Sequence, residues 1–365
     1  MKSPEIVNNG GKNVTADAER EQKLKDPGFG KLFSDHMVRA HYDADKGWHS
    51  AEVCARERIS LDPSANVLHY GQAIFEGMKA YRRGGEKVVA FRPNEHADRF
   101  NDSAKRMAMP SLPPGFLLKS VQALVDIDRK WVPKQSGHSF YLRPTMIATE
   151  SCLGVRPAKT YLYFLIASPC AAYFSKGVAP VNVWATKDYS RAAPGGTGAA
   201  KTAGNYGASL IAQQQAIENG CEQVIWLDAV EHRFVEELGG MNLFFVWKDG
   251  NKKTLVTPPL SETILPGVTR RSLIQLAKDN GIAVNERKVS LSEVIEGTGS
   301  GQLLEAFACG TAAVVTPIGK IKSTEGEWTV HKDGLGPVAG QLRERLVGIH
   351  DGSGEDTHNW VHEFD

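Results

Sequence analysis

The stretch PGGTGAAKTAGNYGASL, residues 194–210, is the part of the chain that most constrains its fold and its ligand. It places five glycines and one lysine, Lys201, ahead of a segment with helical character. Small residues on both sides of a lysine allow a flat ligand to approach the backbone closely. From Gly195 to Thr202 the residues are also one position away from the phosphate loop of nucleotide hydrolases. The stretch therefore predicts a ligand-binding loop, whose ligand depends on the surrounding segments.

Those segments argue against a nucleotide. A phosphate loop directly follows its strand, whereas the strand predicted for residues 181–187 ends about eight residues before Gly195. Ala200 precedes the lysine, where a nest of backbone N–H groups requires glycine. The apolar run that ends at Asp228 leads into hairpins and not into a parallel crossover. A P-loop ATPase is therefore kept only as an alternative from another class.

Lys201 itself is the group in this loop that can carry chemistry. A single lysine is most often a solvated surface charge, so its surroundings have to support any other role. Amine nucleophiles form Schiff bases with aldehydes. A lysine that serves pyridoxal phosphate needs a phosphate-binding group, an anion beside the pyridine nitrogen and space above the ring.

The composition is that of an ordinary globular chain long enough for two domains. Its 365 residues include 43 basic and 42 acidic side chains, which predicts no attraction to nucleic acid or to an anionic membrane. No apolar run approaches the roughly 18 residues of a membrane span. The first residues lack the apolar region of a secretion signal, and we expect residues 1–27 to form a polar, frayed tail.

The five cysteines are far apart and contain no C-x-x-C pair. Their odd number and spacing argue against a disulfide framework and against a zinc site, and we predict no metal. Reduced thiols are typical of a reducing compartment, so we expect a cytoplasmic protein.

Hydrophobic periodicity predicts a mixture of strands and helices. Strands are predicted at 87–91, 140–150, 160–169 and 181–187, and a hairpin meander over 223–259. The strand at 160–169 is apolar on both faces, which predicts a central position in its sheet. Helices are predicted from Asn94, as the N-cap, to 107, and at 117–132, 207–219, 266–281 and 338–350.

Seven segments together resemble one known family. They are VLHYGQAIFEGMKAYR, FRPNEHADRF, YLRPTMIATES, the lysine loop PGGTGAAKTAGNYGASL, EELGGMNLFFV, LPGVTRRSL and ACGTAAVVTP, in this order along residues 67–317. These motifs are similar to those of branched-chain amino acid aminotransferases, which are pyridoxal phosphate enzymes of fold-type IV. The resemblance covers about residues 28–348.

The resemblance implies a two-domain α/β (α+β) fold of the D-amino-acid-aminotransferase-like type, with the active site between the domains. A small N-terminal domain is expected at 28–170, a connector at 171–182 and a large C-terminal domain at 183–365. The family also implies a homodimer in which Tyr70 reaches the pocket of the partner subunit.

By the same resemblance, Lys201 forms the Schiff base with pyridoxal 5'-phosphate and moves the proton during transamination. Glu237 holds the pyridine nitrogen; its neighbour Glu236 points to the opposite face of a strand. The phosphate and the phenolic oxygen of the cofactor are assigned to Arg99, Val268, Thr269, Thr311 and Tyr206. Two alternatives stay open: Glu237 could be a charge on an edge strand, and Arg99 could pair with Asp98 or Asp102 on its own helix.

The resemblance also assigns a substrate pocket. Its side-chain lining is expected to comprise Phe29, Tyr70, Phe75, Tyr141, Arg143, Tyr173 and Tyr206, and its α-carboxylate site to lie at Gly240, Ala312 and Ala313. Phenol rings offer an apolar face to a branched side chain, while their hydroxyls and Arg143 can bind a γ-carboxylate. Some relatives carry threonine where this chain has Gly240, and a C-x-x-C where it has Ala313 and Thr316.

The implied reaction is transfer of the amino group of L-leucine, L-isoleucine or L-valine to 2-oxoglutarate, which gives branched 2-oxo acids and L-glutamate. Within the same fold, a D-amino-acid transaminase or an aminodeoxychorismate lyase is the alternative. A non-catalytic binding protein is less compatible with the joint presence of Lys201, Glu237 and Arg99.

Overall fold

A computed structural model describes residues 3–11, 14–171 and 178–364. The described chain forms two compact units. The first comprises the residues up to 171 together with 200–204 and those from 349 onward, and the second comprises 178–199 and 205–348. Residues 200–204 and 349–364 thus group with the first unit, although they lie inside the predicted 183–365 domain. The predicted domain boundaries stay a prediction, and half of the connector at 171–182, residues 172–177, falls outside the described residues.

Within the described residues, the chain contains the following strands and helices. The strands are β1 (Val7–Asn8), β2 (His36–Asp43), β3 (Gly47–Ala55), β4 (Ala73–Phe75), β5 (Met78–Arg83), β6 (Lys87–Phe91), β7 (Ser139–Ala148), β8 (Thr160–Cys170), β9 (Val181–Ala185), β10 (Gln223–Leu227), β11 (Val235–Leu238), β12 (Met241–Asp249), β13 (Lys252–Thr257), β14 (Ala283–Glu286), β15 (Leu303–Gly310), β16 (Val314–Ser323), β17 (Gly326–Thr329) and β18 (Val361–Phe364). The α-helices are α1 (Asp17–Leu24), α2 (Asn66–Tyr70), α3 (Pro93–Arg106), α4 (Phe116–Asp128), α5 (Ala203–Gly207), α6 (Leu210–Glu218), α7 (Val268–Asp279), α8 (Leu291–Ser300) and α9 (Pro337–Asp351).

The first unit is built on one sheet with the strand order β1-β3-β2-β8-β7-β5-β6-β18, and β4 pairs with β7. Its ladders are antiparallel except for the short parallel pair β1–β3. The central position predicted for β8 is confirmed, since β8 lies between β2 and β7. The sheet brings strands that are distant in sequence side by side.

Strand β7 shows how the alternation of side chains separates the core from the opposite face. Phe140, Leu142 and Met146 are fully buried in the core of this unit. Tyr141 and Arg143 alternate with them and are only partly buried. Because successive side chains of a strand point to opposite faces, Tyr141 and Arg143 share the face away from this core.

The N-terminal segment differs from the frayed tail that we expected. Strand β1 pairs with β3, and helix α1 buries Leu24 against the core of the first unit. The hydroxyl and the backbone N–H of Thr15 both donate to the carboxylate of Asp35. These contacts hold the segment, and its polar composition did not reveal them.

The second unit is built on a sheet with the order β11-β10-β9-β16-β15-β12-β13-β14. Strand β11 also pairs with β12, so the six strands from β11 to β12 in this order form a closed ring of hydrogen-bonded neighbours. The hairpin meander predicted for residues 223–259 is confirmed as β10 to β13. In the hairpin of β11 and β12, Glu237 lies directly opposite Asn242.

The helices lie close to their predicted positions, but several begin or end at other residues than predicted. Helix α3 begins at Pro93, after Arg92 in a left-handed conformation (φ 48°), so Asn94 is not the N-cap. The helix predicted at 207–219 corresponds to α6, which begins at Leu210, and a separate short helix, α5, precedes it. Helix α7 begins at Val268, just after Pro266, as the proline predicted.

No helix among the described residues is long and apolar enough to cross a membrane. The five cysteines are free thiols, and all except Cys152 are buried.

Candidate functional site

The backbone of Lys201 is held by the first unit on both sides. The carbonyl of Lys201 accepts the N–H of Phe75 at 3.0 Å, and an antiparallel bridge joins Thr202 to Ile74. The N–H of Lys201 donates to the hydroxyl oxygen of Ser103 at 2.9 Å. The hydroxyl of Thr202 donates to the carbonyl of Ala73 at 2.8 Å. This short segment therefore pairs with β4 like a neighbouring strand. The pairing explains why residues 200–204 group with the first unit.

The amine of Lys201 lies over an aromatic ring. Its Nζ atom is 4.9 Å from the ring centroid of Phe75, and the guanidinium of Arg143 lies 4.8 Å from the same centroid. Arg143 also donates to the hydroxyl of Tyr141 at 3.1 Å, and the ring of Phe29 packs edge-on against Tyr141 at 5.3 Å. The structure thus brings together five of the predicted site residues, with a cationic and an aromatic character suited to a carboxylate with an apolar chain.

Gly77 allows this cluster to pack closely. A Cβ atom at this position would lie 2.0 Å from the hydroxyl oxygen of Tyr141. Only glycine lets the backbone after Glu76 approach the phenol to this distance.

Arg99 lies buried on α3 and pairs with a residue that the sequence interpretation did not consider. Its Nε and Nη2 atoms donate to the carboxylate of Glu76 at 2.6 Å and 2.9 Å. The suggested pairing with Asp98 or Asp102 is therefore not what holds Arg99. Glu76 is fully buried, and it also accepts hydrogen bonds from His96 at 2.8 Å and from the N–H of Gly77.

The charges around Glu76 determine its protonation. Burial raises the pKa of Glu76, but the positive charge of Arg99 and the contact with His96 outweigh it and hold the pKa well below its usual range. Burial lowers the pKa of His96 against the attraction of Glu76. The group is therefore a buried carboxylate paired with the guanidinium of Arg99 and the imidazole of His96.

Tyr70 lies on the surface of the first unit and not in the cluster around Phe75. Its side chain is 40% exposed, and its hydroxyl donates to the carbonyl of Leu153. Leu68 on the same short helix, and Leu153 and Val155 in the loop that Tyr70 contacts, are also exposed apolar residues. The predicted pocket residue Tyr173 lies outside the described residues.

In the second unit, Glu237 is a buried carboxylate that is held by both side-chain and backbone groups. It is 2% exposed and forms an ion pair with Arg191. Its Oε1 atom accepts the side-chain amide of Asn242 and the backbone N–H of Leu265, both at 3.2 Å. The alternative of a solvated charge on an edge strand does not fit this burial. Strand β11 is the first in the strand order, but it also pairs with β12.

The side chain of Glu236 points to the strand face opposite to that of Glu237, as the alternation of side chains along a strand predicted. It accepts the hydroxyl of Thr263 and lines a separate cavity of about 420 Å³ together with Asp228 and Lys288. Burial raises the pKa of Glu236. The two neighbouring carboxylates therefore have different partners and different environments.

The other predicted residues of the second unit lie at turns and at a helix N-terminus. Gly240 faces Tyr206, and a Cβ atom there would lie 3.3 Å from the phenol ring. Val268 and Thr269 are the first residues of α7, whose first backbone N–H groups have no acceptor within the helix. Such a terminus favours an anion.

The turn between β15 and β16 contains Thr311, Ala312 and Ala313 and ends at a strained residue. Val314 has a φ of 62°, which costs a β-branched residue about 1–3 kcal/mol. The backbone at this turn is thus held in a conformation that the local sequence disfavours.

Comparison with known proteins identifies the family. Residues 73–321 match the amino-transferase class IV family. A branched-chain-amino-acid aminotransferase of Mycolicibacterium smegmatis is 54% identical over 350 residues, which cover 96% of this chain and 95% of that protein. A probable branched-chain-amino-acid aminotransferase of Streptomyces coelicolor is 48% identical and covers 99% of both chains.

The chain belongs to the class IV aminotransferases.

Solved structures of this family agree with the fold of the aminotransferase. The branched-chain amino acid aminotransferase of Escherichia coli superposes with a TM-score of 0.74 at 30% identity, over 91% of this chain and 99% of that one. The T.th. branched-chain amino acid aminotransferase, solved with pyridoxamine 5'-phosphate, gives a TM-score of 0.72 at 27% identity, over 89% and 98% of the two chains. The predicted resemblance and the two-domain α/β fold class are therefore confirmed.

Several buried polar residues of the aminotransferase were missed by the sequence interpretation. Glu76 and Arg191 hold the predicted residues Arg99 and Glu237, and Asn242 also binds Glu237. One signal was available for Glu76, which is the only acidic residue in the mostly apolar run AIFEGMKA. A carboxylate within a buried run requires a partner. For Arg191 the sequence offers no comparable signal, because the residue lies in a polar loop.

Proposed function

We propose that this aminotransferase transfers the amino group of L-leucine, L-isoleucine and L-valine to 2-oxoglutarate, giving branched 2-oxo acids and L-glutamate. The observation that carries the proposal is the 54% identity, over nearly the whole chain, to a branched-chain-amino-acid aminotransferase. The pairing of Arg143 with the aromatic residues Phe75 and Tyr141 supports it. The rings offer an apolar surface to a branched side chain, and the guanidinium offers a partner for the second carboxylate of glutamate.

The cofactor of this proposal is pyridoxal 5'-phosphate. The chemistry of the donor set fits it: the first unit holds an amine and a buried guanidinium, and the second holds a buried carboxylate and a helix N-terminus. A structural relative was solved with pyridoxamine 5'-phosphate. When bound, the cofactor supplies an electron-withdrawing ring that takes up the electrons of the broken Cα–H bond.

Each unit contains residues for which we propose a role in binding the cofactor. In the first unit, Lys201 is the nucleophile and later moves the proton at the substrate carbon, and Arg99 binds the phosphate. In the second unit, the phosphate is held by the N–H groups of Val268 and Thr269 and by Thr311.

Two further residues of the second unit act on the ring. Glu237 keeps the ring nitrogen protonated, a role supported by its burial and by its fixed position beside Asn242. Tyr206 binds the phenolic oxygen.

For the substrate, Phe29, Phe75 and Tyr141 bind the apolar side chain. Arg143 binds the γ-carboxylate of glutamate, and the backbone N–H groups near Gly240 and the Ala312–Ala313 turn bind the α-carboxylate. Tyr70 serves the partner subunit of a homodimer, and Tyr173 completes the proposed lining. Because Gly240 has no hydroxyl, the α-carboxylate depends on backbone donors there.

The test is Lys201→Ala, with the helix variant Lys119→Ala as the control. The wild-type and control proteins are expected to be yellow with pyridoxal phosphate, to be labelled on Lys201 after borohydride reduction, and to transaminate L-leucine but not D-leucine. Lys201→Ala is expected to show no covalent label, and its turnover should fall at least about 10³-fold, as for loss of a nucleophile and base. A wild-type chain that does not bind the cofactor would overturn the proposal.

The same assay separates the alternatives within the fold. Preference for D-leucine would indicate a D-amino-acid transaminase, and release of pyruvate from aminodeoxychorismate would indicate the lyase. Hydrolysis of ATP by a colourless protein would instead support the nucleotide-binding alternative.

A further inference from the structure

Helix α3 carries three buried polar side chains along one face. His96, Arg99 and Ser103 follow one another at the i, i+3 and i+7 spacing that places residues on one side of a helix. His96 and Arg99 both bind Glu76. Ser103 is 1% exposed, and its hydroxyl oxygen accepts the backbone N–H of Lys201 at 2.9 Å.

We propose that Ser103 is a positioning residue for the amine of Lys201; this inference rests on the proposed role of Lys201 as nucleophile. The N–H of Lys201 is held by Ser103, and its carbonyl is held by the N–H of Phe75 at 3.0 Å. With both peptide groups of the residue bound, its Cα atom has a fixed place and its Cα–Cβ bond a fixed direction. Only the side-chain torsions are then left to adjust the Nζ atom.

The position of Ser103 on α3 couples the amine to Arg99. The two residues lie four positions apart, which corresponds to a rise of about 6 Å along the helix axis. Arg99 is itself fixed by its two hydrogen bonds to Glu76. One rigid helix therefore sets the distance between the proposed phosphate-binding group and the backbone of the nucleophile.

A fixed nucleophile has a kinetic consequence. A displacement of about 1 Å of a reacting group can reduce the rate about 100-fold, while substrate binding by other residues is retained. Loss of the Ser103 hydroxyl is therefore expected to reduce kcat and to leave KM nearly unchanged. A serine with only a packing role would lower stability without this separation.

The experiment compares Ser103→Ala and Ser103→Cys with Ser120→Ala. Cysteine leaves no cavity, but its thiol is a weak acceptor, so this variant separates the lost hydrogen bond from the effect of a cavity. Ser120 is a suitable control because it is fully buried on α4 of the same unit and donates to the carbonyl of Leu117. All variants are assayed with L-leucine at saturating pyridoxal phosphate.

A second measurement follows hydrogen exchange at the amide of Lys201 in the protein without cofactor. In both Ser103 variants this exchange is expected to rise about 10-fold, which corresponds to loss of about one hydrogen bond. Their kcat is expected to fall about 10- to 100-fold with KM within about 2-fold of wild type. Ser120→Ala should change neither quantity.

Unchanged exchange at Lys201, or unchanged kcat in both Ser103 variants, would overturn the proposal. An equal loss of kcat in Ser120→Ala would also overturn it, because the effect would then be one of general stability. Failure of the proposed function gives a different result. If borohydride reduction leaves no cofactor attached to Lys201 of the wild-type chain, Lys201 is not the nucleophile. The exchange measurement still tests the hydrogen bond between Ser103 and Lys201 in that case.

Discussion

At the scale of single residues, the charged groups assigned to chemistry depend on partners that lie elsewhere in the chain. Arg99 is held by Glu76, 23 positions away, and Glu237 is held by Arg191. Both carboxylates are almost completely buried. A buried charge without its partner is costly, so these partners stabilise Arg99 and Glu237 in their buried positions and fix their orientation.

The first prediction concerns Arg191. Its side chain is 8% exposed, and replacement by glutamine removes this cation from the buried carboxylate of Glu237. We expect Arg191→Gln to lower the free energy of unfolding by about 3 kcal/mol, measured by urea denaturation of the protein without cofactor. Arg233→Gln is the control, since Arg233 is 61% exposed and its ion pair with Glu231 is 4.0 Å long. Equal stability of the Arg191 variant and wild type would contradict the ion pair.

At the scale of elements, hydrogen bonds at helix N-termini contribute to local stability. Helix α8 begins after Ser290, whose side-chain oxygen accepts the N–H of Glu293 at 3.1 Å. Helix α9 begins where the buried carboxylate of Glu305 accepts the N–H groups of Val338 and Ala339, each at 2.9 Å. In both cases a side chain binds backbone donors that have no partner within the helix.

The N-cap of α8 provides a prediction with a direct control. Ser290→Ala removes the acceptor for Glu293 and is expected to lower the free energy of unfolding by about 1 kcal/mol. Ser300→Ala, at the other end of the same helix, removes an exposed hydroxyl that donates to Glu296 and should cost less than about 0.5 kcal/mol. Thermal and urea denaturation of both variants measure the difference. Equal losses would show that Ser290 does not act as a cap.

The last turn of α9 provides a prediction for pH. His350 is buried against Tyr81 of β5, with ring centroids 4.9 Å apart, and against Phe91 of β6. Burial, with a contribution from the charges of Lys79 and Arg83, lowers the pKa of His350 to about 3. The unfolded chain binds a proton at this residue below about pH 6.5, whereas the folded chain does not. Stability is therefore lost as the pH falls from about 6.5 towards about 3.

Comparison of wild type with His350→Phe measures this effect. Between about pH 7 and about pH 4.5, the wild type is expected to lose about 2–3 kcal/mol more than the variant, because the variant lacks the titrating group. His362→Phe, which replaces an exposed histidine, should follow the wild-type curve. Parallel curves for wild type and His350→Phe would contradict the lowered pKa.

At the scale of the whole molecule, exposed apolar surface bears on the proposed homodimer. We propose that four exposed side chains of the first unit, Leu68, Tyr70, Leu153 and Val155, form one apolar patch, since the Tyr70 hydroxyl contacts Leu153; Val155 is 85% exposed. Patches of this kind on a folded chain commonly mark interfaces. The proposed homodimer would cover such a patch with a second copy of the chain.

The corresponding prediction is a change in oligomeric state. Leu153→Glu places a charge in the patch and is expected to shift the protein from dimer to monomer, measured by light scattering after gel filtration. Val230→Glu is the control, because Val230 is 73% exposed and lies in the second unit. A wild-type monomer, or a dimer that Leu153→Glu does not weaken, would contradict an interface at this patch.

Much of the fold could be predicted because its elements are locally patterned. Strand β6, the central strand β8 and the meander β10 to β13 have strong apolar periodicity or clear turn signals. Strands β2 and β3 were not predicted, and their pairing contains an irregularity between Arg39 and His41 that interrupts the alternation. Strand β18 is polar at its centre, and its pairing with β6 is a contact over a long sequence distance.

The amino-acid sequence by itself determined the family and the periodic elements and predicted the reactive groups, since these depend on residue types and short spacings. The tertiary structure alone decided that Glu76 holds Arg99, that Arg191 holds Glu237 and that Ser103 binds the backbone of Lys201. Buried charges and backbone donors must find partners wherever folding brings them, and distance along the chain does not indicate which partner that is.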